Sequence, residues 1–170
     1  EHRSVGAPAF AYRLSAQGQA LFPRRYQETL TYILEHVAVR DGRMAAIAML
    51  EAHLQGMAAR LKVELAGLTP EQRVEAVTRL RSEDGYMAEW QSAGPGAATI
   101  REHNCAIQAV AERYPEICVA ERRFLEEVLS AAVDRKAHIL AGCTACEYHV
   151  QFDGGSGPAD VVQITPRDAR

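Results

Sequence analysis

This 170-residue chain is first defined by what it has little of. No apolar run approaches the roughly 20 residues that a helix needs to cross a bilayer, so no membrane partner is expected. Neither sign of charge is in large excess. The formal net charge is −3, which gives no bulk attraction to nucleic acid or to an anionic membrane, so any DNA contact has to come from a local patch. Lysine is scarce, 2 residues against 17 arginines, an imbalance read first as coding bias. Cysteine is also scarce. Four residues are too few for a disulfide scaffold, and a chain of this size buries enough core not to need one. No basic-then-apolar leader opens the sequence, so a cytoplasmic location is expected. No Ser–His–Asp pattern, glycine-rich phosphate loop or paired-carboxylate site stands out, and an enzyme is not expected.

What is present reads as an α+β chain. Phe10, Tyr12 and Leu14 alternate after a Gly-Ala-Pro turn, the period of a half-buried hairpin strand. Phe22, Tyr26, Leu30, Ile33 and Val37 then recur at helical spacing up to the Asp41-Gly42 break. A longer helix is predicted over 44–65. Its stripe of Met44, Ile47, Leu50, Leu54, Met57, Leu61 and Leu65 suits either a buried core helix or a homodimer seam. Thr69-Pro70 opens a third helix, with Thr69 as cap. After Gly85 the character changes. Segments 86–91 and 99–104 read as strands, 106–114 and 116–129 as helices, and 133–140 as a weak alternation. Cys146, Tyr148, Val150 and Phe152 alternate against Glu147, His149 and Gln151, a strand with one buried face.

The chemistry lies in the cysteines, all of which fall between 105 and 146. Cys105 follows a predicted strand, Cys118 starts a helix, and Cys143 and Cys146 flank the turn into the last strand. If these elements pack together, four soft thiolates converge at one end of a sheet, a donor set that suits an iron–sulfur cluster or zinc. Cys143 and Cys146 have the spacing of a zinc half-site, whereas the twelve residues between Cys105 and Cys118 do not. Buried, inert cysteine is the plainer alternative. A thioredoxin-like dithiol fits less well, because that motif opens a helix and this one enters a strand.

At these residues a resemblance becomes specific. Arg101-Glu102-His103-Asn104-Cys105, Tyr114-Pro115, Cys118, Glu121, Phe124, Arg135, His138, Gly142 and Cys146-Glu147-Tyr148 resemble the sensor half of the SufR-type regulators, winged-helix iron–sulfur repressors related to the ArsR and DeoR groups. Residues 6–18 and 21–26 resemble the wing and post-wing helix of that family, and 85–90 are similar as well. The resemblance implies a winged-helix remnant with a β-hairpin wing and post-wing helix at 1–42. It further implies a helical dimerisation region at 43–84, a small β-α-α-β-β sensor domain at 85–153 and a flexible tail at 154–170. It implies a homodimer that represses iron–sulfur assembly genes from a DNA operator while its cluster is bound, with Arg3 of the wing touching phosphate.

Two departures matter. The helices that precede the wing in the family, including the recognition helix, are not in this sequence, which therefore reads as starting inside the wing. The family often has a cysteine near Ala131-Ala132, and this chain has Cys143 instead. The implied ligands are Cys105, Cys118 and Cys146, with Cys143 as the fourth and His103 as its competitor. His103 and His138 both match the resemblance, and each is read first as a hydrogen-bonded structural histidine. Zinc is the alternative metal.

Overall fold

The structure, a computed structural model, describes residues 26–152. The predicted wing with Arg3, Phe22 of the first stripe and the tail lie outside the described residues. Helices α1 (Tyr26–Asp41), α2 (Arg43–Glu64) and α3 (Pro70–Arg81) lead into a wide π-type turn, Ser82–Tyr86. Then come β1 (Ala88–Ser92), β2 (Ala97–Glu102), α4 (Gln108–Arg113), α5 (Glu116–Leu129), β3 (Ala132–Ala137), a 3-10 turn (Ile139–Ala141) and β4 (Cys146–Gln151). The four strands form one antiparallel sheet in the order β1-β2-β4-β3. The β-α-α-β-β expectation is one strand short: 86–91 and 99–104 both contribute a strand, and these pair before the helices begin.

Local chemistry explains several boundaries. Thr69 accepts the Gln72 backbone N–H at 3.3 Å, and the Gln72 side chain accepts the Thr69 N–H at 3.0 Å. With Pro70 in the first turn, this capping box satisfies donors that α3 would otherwise leave unpaired. Pro115 cannot continue α4 and instead precedes α5. On β4, Cys146, Tyr148 and Val150 are buried while His149 and Gln151 face out, as the alternation predicts.

The α2 stripe belongs to the core. Ile47, Leu54 and Leu65 are buried, Leu50, Met57 and Leu61 pack against them, and Met44 alone of the stripe stays largely exposed, at 72 %. The principal core runs without a break from Leu54, Ala58 and Val74 to Ile100, Phe124, Leu125 and Tyr148. Residues 43–84 therefore share one core with the sheet and α5.

The first helix keeps only part of its predicted face. Thr31 and Leu34 are buried, whereas Tyr26, Leu30 and Ile33 are 68 %, 38 % and 48 % exposed. Leu34 enters a second, smaller core with Ala46, Ile47, Val110 and Tyr114, and Ala38 packs beside it. Val37 of the predicted stripe packs against the same core, so the predicted face is kept there and lost at Leu30 and Ile33. Among the described residues, no helix is long and apolar enough to cross a membrane.

Candidate functional site

Three of the four cysteines come together from separate elements. Cys105 lies just beyond β2, Cys118 in the first turn of α5 and Cys146 at the start of β4. Cys118 and Cys146 are 4 % and 8 % exposed within the principal core, and Cys105 packs against it half-buried. Burial pushes the Cys105 thiol up to about 11. The Ile107 backbone N–H works against this, while Glu121 and the other two thiols add to it. Burial also lifts Cys118 to about 11, with Glu121 and Cys146 raising it further and Arg135 opposing. Cys146 is raised by burial against the Ile139 N–H, which donates to its Sγ at 3.4 Å.

The fourth cysteine differs in burial: Cys143 is exposed on the turn before β4. The His103 Nε2 is 3.0 Å from Glu89 Oε1 at the surface, the hydrogen-bonded role read for it.

Sequence reasoning missed the ionic network beneath the thiols. Arg81, 3 % exposed, donates from Nε to Glu102 Oε1 at 2.6 Å and from Nη2 to Glu102 Oε2 at 3.2 Å. The same Nη2 donates to Glu121 Oε1 at 3.0 Å, and the Tyr86 hydroxyl donates to that oxygen at 2.7 Å. The guanidinium stacks 3.4 Å above the Tyr86 ring centroid. The widened turn after α3 makes this possible, since it folds Tyr86 back under Arg81, with Gly85 at φ 91°. Asn104 fastens the turn, its N–H donating to Tyr86 O at 3.0 Å and its Nδ2 to Gly85 O at 2.7 Å. The next residue is Cys105. Glu102 is the register partner of Cys146, and Glu121 lies one helical turn beyond Cys118. Each thiol thus has a network member as a close neighbour.

The network holds one guanidinium against two carboxylates. Burial works against the Arg81 charge, yet Glu102 and Glu121 hold its pKa well above the usual value. Burial pushes the Glu102 carboxyl up against the pull of Arg81. One sequence signal was available: Glu121 stands on the apolar face of α5 among Ile117, Cys118, Phe124 and Leu125.

The opposite wall comes from β3. Arg135 Nη1 donates to the Cys118 carbonyl at 3.0 Å, and its guanidinium lies against the thiol. Burial, and then Arg135, hold His138 below the usual imidazole value.

The donor chemistry of three clustered thiols fits an iron–sulfur cluster, which is bound through thiolates. Among the described residues, no group of three or more His, Cys, Asp or Glu side chains is arranged to hold a metal ion. No protein-family profile matches the sequence, and no curated protein matches it.

Proposed function

We propose that this chain is the sensor part of an iron–sulfur-cluster-binding transcriptional repressor of iron–sulfur assembly genes, with Cys105, Cys118 and Cys146 as ligands. The observation that carries the reading is the convergence of these three thiols from a loop, a helix start and a strand start on one core. When bound, the cluster supplies iron-dependent, oxidation-sensitive cross-links between the sulfurs. The chain's own residues do the rest. Cys105 anchors the loop after β2, Cys118 anchors α5 and Cys146 anchors β4. Arg81 carries the position of these elements back into α3 through Glu102 and Glu121. The thiols are protonated at neutral pH without ligand, so cluster uptake releases protons from the site.

In this reading the regulator acts in the cytoplasm as a homodimer on a DNA operator, and Arg3 touches phosphate. Anaerobic reconstitution with iron and sulfide tests the proposal. A brown protein with broad absorption at about 400–430 nm, lost in single Ser variants at 105, 118 and 146, is the expected result. A colourless protein carrying stoichiometric zinc identifies the zinc-binding structural or interaction domain instead.

A further inference from the structure

A cluster on three cysteines leaves one iron position for another donor; Cys143 is exposed on its turn, and the His103 Nε2 is paired with Glu89 at the surface. We propose that His138 fills it; the assignment rests on the cluster reading above.

The backbone puts His138 there. Arg135 is the register partner of Tyr148 on β4, so it faces the core side of the sheet. Regular alternation would carry residue 138 to the other face. The strand instead has a register shift between Arg135 and Ala137, and Ala137 pairs with Glu147. Glu147 is on the outer face, where it accepts from Arg101 Nε at 2.7 Å. Ala137 therefore sits on the outer face too, and His138, still extended at φ −142° and ψ 123°, returns to the side of Cys146. A bulge that re-aims one side chain is a recurrent device at functional sites.

The neighbours agree. Arg135, three residues before, lies against Cys118. Ile139, one residue after, donates its N–H to Cys146 Sγ. Glu121, which faces all three thiols, also interacts with His138. The ring is half-buried and makes no hydrogen bond to any described residue, in contrast to His103, so its nitrogens are uncommitted. An imidazole nitrogen is an established ligand to cluster iron and to zinc. The His138 carbonyl accepts the Ala141 and Cys143 N–H groups at 3.0 and 3.2 Å, which fixes the backbone from which the ring projects.

The test uses the full chain, reconstituted anaerobically with iron and sulfide, then reduced and studied by pulsed EPR for nitrogen bound to iron. The expected result is a strong nitrogen coupling in wild type, His103→Ala and Cys143→Ser, and its loss in His138→Ala. Added imidazole should restore it in His138→Ala. His138→Cys covers the case in which the alanine variant does not load: it should keep full iron content with the coupling gone and the visible bands shifted. Coupling that survives in His138→Cys, or its absence from a fully loaded wild type, overturns the assignment while leaving the cluster reading in place. A wild type that takes up no iron overturns both.

Discussion

Two arginines tie the helical part of the molecule to the cysteine-bearing part, and they do so in opposite environments. Arg43, at the start of α2, donates to Glu116 at the start of α5, with Nη2 distances of 2.8 and 3.0 Å to the two carboxylate oxygens. The pair is about half exposed, at 49 % and 42 %. Arg81, at the end of α3, reaches Glu102 and Glu121 with every partner 5 % exposed or less. The chemical groups are the same and the bond lengths similar, so burial is what separates them. At the surface, water and salt replace most of what the pair supplies. In the core nothing replaces it, and removing one partner leaves the others charged and unsolvated.

Arg81→Ala is the largest expected effect. It should cost about 3–5 kcal/mol in urea unfolding, because two carboxylates are left buried without a cation. A loss below about 1 kcal/mol means that water enters the network and the contrast with Arg43 collapses.

Thiol alkylation comes next. Cys105 and Cys118 titrate near 11 against an ordinary value of 9, so at pH 8 each exposes about a hundredfold less thiolate than an ordinary thiol. Mass spectrometry of the metal-free chain should show Cys143 modified first, with the other three gaining reactivity as the pH rises toward 11. The linkage has a definite sign. A raised thiol pKa supports the fold fully below the unfolded value and is lost as pH climbs through the folded one, so alkaline unfolding belongs in the window from about 9 to 11. Equal labelling of all four cysteines at pH 8 contradicts the burial described.

The two ion pairs should also respond to acid with opposite signs. Glu116 is held below the usual carboxylate range, first by its helix-start N–H and then by Arg43, so its contribution is present above that range and lost as pH falls through the lowered value. Glu102 is raised by burial, so its contribution is present at low pH and lost as pH rises through the raised value. Glu102→Gln should therefore flatten the stability profile just above the ordinary glutamate range, and Glu116→Gln just below it. Unfolding midpoints between pH 3 and 7 decide this, and identical slopes in both variants contradict it.

Arg43→Ala is the smallest effect. A loss of about 0–1 kcal/mol is expected, shrinking further in 0.5 M salt. A larger, salt-independent loss points instead to the Arg43 packing on the Tyr114 ring, 4.8 Å from its centroid.

Much of this architecture was legible in the chain itself, and the failures share a cause. Thr69-Pro70 announces a helix start because capping depends on a few adjacent residues. Cys146, Tyr148 and Val150 announce a buried strand face because pleating fixes it locally. The α2 stripe shows which face is apolar and says nothing about what covers it, which is why core and seam looked alike from sequence. On α1 the predicted stripe included Val37, which packs in the smaller core, and missed Leu34 and Ala38 beside it. All four thiols were expected to converge at one end of the sheet; Cys105, Cys118 and Cys146 come together, while Cys143 is exposed on its turn. Arg81 was not read, because its partners lie 21 and 40 residues away and only the folded sheet brings them together. His138 was seen as a residue, but its direction depends on a single irregularity in β3 that alternation cannot reveal.

The position of Arg81 also limits how the molecule can be divided. Residues 85–152 contain all four cysteines and, among the described residues, every strand, and look like a portable module. Excised at that boundary, they would keep Glu102 and Glu121 and lose the cation between them, and they would also lose the side chains of Leu54, Ala58 and Val74 that fill the same core. Leu34 of α1 likewise packs with Val110 and Tyr114, so a cut after α1 opens the smaller core as well. A graft that transfers the cysteines to another protein has to carry all three helices with them.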